Sequence, residues 1–353
     1  MKKLIALLLA MIMVLGMLSG CGSAPSVAEE AAPASEAVSA PAEEASAPAE
    51  AAGADFSGVT AALTMGTGGE SGTYYAFGGV LGTVIGQKSG VSISTVATGG
   101  SKDNLVSMGD NIYQLATVQS DVMAYAYQGT NSFAESGALT EFRVLGALYA
   151  ETVQIVTVDP SITSVADLKG KSVCIGDVGS GTYYNTIDVL AAYDMTLDDI
   201  TPVYQSFGDS TDSLKDGKID AAFLCAGAPT TAVTELASST AVNLISIDDE
   251  HMQKLLDACP YYASYTIPAE TYSGVAEATT ITVKATLVCR ADLPEDVAYA
   301  ITNIIFENAA EITELHAKGA ELDLSFATEG IAVPFHAGAA KYFSEKGVTV
   351  ETA

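Results

Sequence analysis

The string Ser-Gly-Thr-Tyr-Tyr occurs twice, at residues 71–75 and 180–184. The first copy follows Gly69-Glu70 and the second Gly179, and each stands between an apolar run of strand character and an apolar pattern of helical period. A glycine-rich turn that opens a helix leaves backbone N–H groups without intrahelical partners. The helix start also carries about half a positive charge. Together these hold an anion without any basic side chain. Ser71, Thr73, Ser180 and Thr182 add hydroxyl donors, and Gly72, Tyr74, Gly179 and Gly181 complete the two turns. Three other loops have the same small, neutral, hydrogen-bonding character: Gly100 with Ser101, Gln119 with Ser120, and Ala226 with Gly227. Ser and Thr also favour ordinary helix caps. A matched pair of such turns favours a ligand cleft, with Gln119 and Tyr149 shaping its middle.

These loops need a frame that brings them together. Residues 61–65 read as a strand. A helix at 73–87 follows, with Phe77, Val80, Leu81, Val84 and Ile85 on one face. Strands at 91–96 and 115–118 alternate with helices at 101–108 and 120–128. Two strands, 143–148 and 153–158, come next. A second cycle reads strand 172–176, helix 182–193, strand 221–225, helix 230–237, strand 243–247 and helix 248–258. Strand 280–290 precedes one long helix opened by Pro294, with Val297, Ile301, Ile304, Ile305, Ile312 and Leu315 at helical spacing. The alternation predicts an α/β protein of two similar lobes, whose ligand site lies at the carboxyl ends of the strands.

The chain has 353 residues and a formal net charge of −28. Its isoelectric point near 4.1 excludes phosphate-backbone binding through clustered Lys and Arg, so no nucleic-acid partner is expected. Lys2 and Lys3 precede an apolar stretch at 4–18, the pattern of a secretory signal. It ends in Leu18-Ser19-Gly20-Cys21, which resembles the bacterial lipobox; that implies cleavage after residue 20 and a lipid on Cys21. Residues 22–54 are almost entirely Ala, Glu, Pro and Ser. Such a composition predicts a disordered leash, kept extended by Pro25, Pro33, Pro41 and Pro48. Cys174, Cys225, Cys259 and Cys289 have no metal or redox spacing; free thiols are favoured, although export permits disulfides.

Enzyme chemistry finds little support. His251, His316 and His336 lack metal-ligand spacing. Gly69-Glu70-Ser71-Gly72-Thr73 fails as a nucleophile elbow at its last position. The lysine of Gly170-Lys171-Ser172 lacks the first glycine of a phosphate loop. No catalytic residue, metal or cofactor is expected.

The resemblance to a known family rests on several strings. They are residues 66–75, Thr98-Gly99-Gly100-Ser101, residues 115–121, residues 165–171, Gly179-Ser180-Gly181-Thr182, Asp220-Ala221-Ala222-Phe223, Pro260-Tyr261-Tyr262 with Ile267-Pro268, and residues 290–294. In combination they resemble the TRAP-associated extracytoplasmic immunogenic (TAXI) family, across nearly all of 61–342. The resemblance implies the solute-binding subunit of a tripartite ATP-independent periplasmic (TRAP) transporter, working as a monomer. Such a subunit captures a small carboxylate, glutamate-like or a C4–C5 dicarboxylate, and delivers it to an ion-driven permease. It implies a type II periplasmic-binding-protein fold with crossings at 147–158 and 282–288. The expected organisation is signal peptide 1–20, lipidated Cys21 and linker 21–57, lobe 1 at 58–150 and 282–353, and lobe 2 at 151–281. The expected place is the outer face of the cytoplasmic membrane. Glu70 and Lys102 depart from the pattern, and no Arg stands in the candidate loops. The competing reading is a surface sensor or adhesin on the same fold.

Overall fold

Short β-branched runs separated by glycine- and serine-rich turns favour strands buried on both faces, with helices packed over them. The computed structural model describes residues 54–353 and realises that pattern. The signal peptide, Cys21 and nearly all of the leash lie outside the described residues. In chain order the elements of the first cycle are β1 (Phe56–Gly66), α1 (Thr73–Lys88), β2 (Ser89–Val96), α2 (Ser101–Gly109), β3 (Leu115–Gln119) and α3 (Ser120–Gln128). Then come β4 (Phe142–Thr157), β5 (Ser172–Cys174), α4 (Gly181–Ala192), β6 (Thr201–Val203), α5 (Phe207–Lys215), β7 (Ala221–Ala226) and α6 (Thr231–Ser239). The chain ends with β8 (Asn243–Leu244), α7 (Asp249–Ala258), β9 (Ala263–Ile267), β10 (Ala278–Arg290), α8 (Glu295–Glu307), α9 (Ala309–Leu315), α10 (Leu324–Thr328) and α11 (Ala337–Glu345).

The strands run in the order β2-β1-β3-β10-β4-β7-β5-β6. β1 is parallel to β2 and β3, and β5 is parallel to β6 and β7. β10 runs antiparallel to β3, and β4 runs antiparallel to β7. β4 and β10 pair with each other and serve both lobes. Residues 285–289 of β10 face β3, whereas residues 152–157 of β4 face β7. The passage between lobes is therefore the pairing Glu151 with Val283, flanked by Thr152 with Thr282 and Ala150 with Lys284. This is the type II periplasmic-binding-protein fold, two α/β lobes with a cleft between them. The buried apolar side chains divide accordingly. One cluster joins Phe77, Leu81, Val118, Leu148, Ile301 and Phe343, and two others lie within 153–283.

Four of the elements read from the sequence take a different form, and β6, α5, β9, α10 and α11 are additions to that reading. The two strands expected at 143–148 and 153–158 are one, because Glu151 and Thr152 continue the extended chain although they interrupt its apolar pattern. The long helix after Pro294 is two, divided at Asn308, whose side chain donates to the Ile304 carbonyl at 2.7 Å and competes with the helical ladder. Leu315 is consequently 54% exposed. The strand after 243 is only two residues long, and β1 begins at Phe56, inside the stretch read as linker. Cys174, Cys225, Cys259 and Cys289 are buried and free. No helix among the described residues is long and apolar enough to cross a membrane.

Candidate functional site

The loops at the carboxyl ends of β1, β2, β3, β5 and β7 meet where the lobes face each other. They enclose a cavity that leaves about 50 Å³ to the centre of a water-sized sphere. Gly72, Thr73, Tyr74, Gly100, Ser101, Gln119, Ser180, Thr182 and Ala226 line it, all of them named from the sequence. Gly68, Gly69, Gly99, Glu151, Asp177, Phe207 and Cys225 line it as well. Among the described residues no Lys or Arg reaches its wall.

The other sequence candidates sit behind the wall and hold the lobes together. The Ser71 carbonyl accepts from the Ala232 N–H at 3.2 Å, across the cleft. The Gly179 carbonyl accepts from the Lys102 N–H at 3.0 Å. The Gly227 carbonyl accepts from the Thr73 hydroxyl at 2.9 Å. Ser120 takes the Lys284 N–H at 3.1 Å and ties α3 to the crossing strand. Gly181 lies against Gln119: a Cβ there would fall 1.4 Å from the Gln119 amide oxygen, so only glycine leaves that side chain its place. Tyr149 does not line the cavity. It is fully buried, edge-on to Phe77 with ring centroids 5.3 Å apart, and packs under Gly227.

The helix starts differ in what they offer an anion. α1, α2 and α3 follow Gly72, Gly100 and Gln119, none of which caps its helix through a side chain, but the Lys102 and Asp103 N–H groups of α2 are taken by the Gly179 carbonyl at 3.0 and 3.4 Å. α2 and α3 carry Asp103 and Asp121 in the first turn, which opposes a second negative charge. α1 and α4, the helices of the twin string, have no acid there. Ser101, Ser180 and Thr182 accept from the N–H groups of Gln119, Tyr183 and Cys225 at 3.0, 3.2 and 3.3 Å. An accepting hydroxyl keeps its own proton for donation. Thr73 has spent its proton on Gly227.

A buried polar chain backs the cavity. Gln119 donates to Asn185 at 3.0 Å, and Asn185 donates to Asp121 at 3.1 Å and to the Tyr262 hydroxyl at 3.0 Å. Tyr262 in turn donates to Asp188 at 2.6 Å. The Gln119 amide oxygen, buried at the cavity wall, has no partner among the described residues. Burial raises the Asp121 carboxyl to about 7.

Sequence reasoning missed Glu151. It is 2% exposed, sits at the crossing, lines the cavity and accepts from the Tyr74 hydroxyl at 2.5 Å. Burial pushes its carboxyl up to about 8, against the opposing pull of the Tyr74 hydrogen bond. Its signal was present: one charged residue inside an otherwise apolar strand run is either a break or a functional group. Asp177, half-buried in the loop after β5, is likewise raised, by burial and by Asp209. Burial also pushes the Cys225 thiol well up, which keeps it an unreactive wall group.

Solved structures of similar shape include the alkanesulfonate-binding protein of Xanthomonas axonopodis pv. citri bound to MOPS, at 15% identity and TM-score 0.46, over 81% of this chain and 91% of that one. A Listeria monocytogenes protein described as an L-cystine ABC transporter matches at 15% identity and TM-score 0.47, over 74% and 97%. A Streptococcus mutans protein, from work on glutathione import through GshT and the cystine importer TcyBC, matches at 11% and 0.48, over 74% and 95%. Residues 65–347 match the NMT1-like family, and the chain belongs to it.

Proposed function

We propose that this protein is an extracytoplasmic solute-binding receptor of a transporter and that its ligand is a small carboxylate, glutamate-like or a C4–C5 dicarboxylate. The observation that carries this is the cavity wall: α1, uncapped, and α4, capped by a Ser180 hydroxyl that keeps its own proton for donation, converge from both lobes with no acid in the first turn of either. A micromolar ligand needs about −8 kcal/mol. Hydrogen bonds to a charged group contribute about 1.5–3 kcal/mol each. Four or five such donors cover that need after ordering costs of several kcal/mol. Donors on both lobes favour the closed form on binding, through differential affinity.

The sequence resemblance to TAXI proteins supports an ion-driven TRAP permease as the partner. The lipobox supports a tether through Cys21 to the outer face of the membrane. A thermal-shift screen of the purified protein against organic acids and amino acids tests the ligand class. A carboxylate at about 100 times its dissociation constant should stabilise the fold by about 2.7 kcal/mol. Ser180→Ala combined with Thr182→Ala should weaken that ligand. Stabilisation by a sugar or a cation but by no carboxylate would overturn the reading. Uptake driven by an ion gradient rather than by ATP would establish the permease type.

A further inference from the structure

The crossing strand β4 brings one acidic side chain, and no base, to the wall of the cavity. Among the described residues Glu151 has no ion-pair partner, and its single side-chain hydrogen bond is the one from Tyr74. A carboxylate so buried, with one donor, is costly. It would also repel the anion proposed for this site. We infer that Glu151 is a ligand-binding residue acting as a carboxylic acid, which donates its proton to an oxygen of the bound carboxylate, so that ligand and proton bind together. This rests on the carboxylate reading above.

The surroundings agree from every side. Tyr74 on α1 donates to one Glu151 oxygen, leaving the other for the ligand. Tyr149 on β4 itself and Cys225 on β7 are neutral neighbours whose burial raises both groups. Asp121 at the start of α3 adds negative charge and favours the protonated acid. Asp177 is the other acid at the wall. Lys318 opposes only in part, since it is paired with Glu321 at 2.6 Å. On β10, Lys284 is turned to the carbonyls of Phe326 and Glu329. With a carboxyl at about 8, the acid is present at neutral pH and lost above it.

The test is calorimetric titration of the full-length protein with succinate, glutarate and L-glutamate from about pH 6.5 to about pH 9.5, in buffers of contrasting ionisation enthalpy. The expected result is affinity about tenfold weaker at pH 9 than at pH 7, with uptake approaching one proton per ligand at the upper end. Glu151→Gln should remove that fall. Tyr74→Phe should move it to higher pH, because the Tyr74 proton favours ionised Glu151. Affinity level across the range overturns the inference. So does proton release with affinity rising with pH, the mark of Glu151 meeting a ligand ammonium. A fall that survives in Glu151→Gln assigns the proton to Asp121 or Asp177 and also overturns it. Where Glu151→Gln fails to fold, the wild-type proton count and the Tyr74→Phe shift decide. Should none of the three compounds bind, the carboxylate reading itself fails and this inference falls with it, a result distinct from binding without proton linkage.

Discussion

The two copies of Ser-Gly-Thr-Tyr-Tyr have the same residues and different work. In lobe 1 the helix starts at Thr73, after an uncapped Gly72. In lobe 2 it starts one residue earlier in the string, at Gly181, and the Ser180 hydroxyl caps it. Thr73 reaches across the cleft to Gly227, while Thr182 supports its own lobe by taking the Cys225 N–H. Tyr74 is buried on Glu151; Tyr183 is only partly buried, stacked on Tyr204 at 6.2 Å. A one-residue shift of the helix start thus turns one copy toward the partner lobe and the other toward its own. Identical sequence is not identical function when the helix frame differs.

The largest effect that separates the copies is on pH dependence. Unfolded Glu151 loses its proton near 4.5 and folded Glu151 near 8. For Asp121 the corresponding values are 3.8 and about 7. Between each pair the folded state holds more protons, so these groups make stability fall as pH rises, by about 1.4 kcal/mol per pH unit for each proton, and the fall ends above pH 8. Urea unfolding across pH should show that slope, and Glu151→Gln should flatten it. Tyr74→Phe should extend it upward, because it raises Glu151 further, whereas Tyr183→Phe should leave it unchanged. Equal responses to the two tyrosine substitutions would erase the distinction between the copies.

Next in size is Thr182→Val, which strands the buried Cys225 N–H. The expected cost is about 1–3 kcal/mol of unfolding stability, read by urea denaturation. Ser180→Ala should cost about 1 kcal/mol through loss of the α4 cap. Ser71→Ala should cost close to nothing in the same measurement, since its hydroxyl caps no helix. A Ser71→Ala loss as large as that of Ser180→Ala would mean that the lobe 1 loop is capped in solution.

Much of this architecture was legible from the residues. The period of Phe77, Leu81, Val84 and Ile85 marked α1, and all four are buried. The small, neutral loops after the strands named nine residues that the fold brings to one cavity, because backbone geometry at a helix start depends on local sequence. Glu151 stood out as a charge in an apolar run, but its place at the cleft did not, since that depends on β4 passing unbroken between lobes, a long-range pairing with Val283. Tyr149 shares the face of β4 that carries Glu151 two residues on, but it is covered there by Phe77 and Gly227 and so stays behind the wall. The break at Asn308 and the short β6 and β9 were missed because their apolar patterns are too brief to show a period.

A net hydrogen bond's worth of effect best tests whether the lobe 1 copy acts between lobes. Thr73→Val keeps the shape and removes the hydroxyl that joins α1 to Gly227. The Gly227 carbonyl keeps a second donor, the Thr230 hydroxyl at 3.0 Å, so nothing is left stranded. The loss is then a net hydrogen bond, about 0.5–1.5 kcal/mol. Because that bond spans the cleft, the cost should fall on the closed form: ligand affinity drops about two- to tenfold, while urea unfolding without ligand barely moves. Thr182→Val should show the reverse weighting. If Thr73→Val instead lowers unfolding stability as much as Thr182→Val does, the lobes unfold and move as one body, and the cleft is not a hinge.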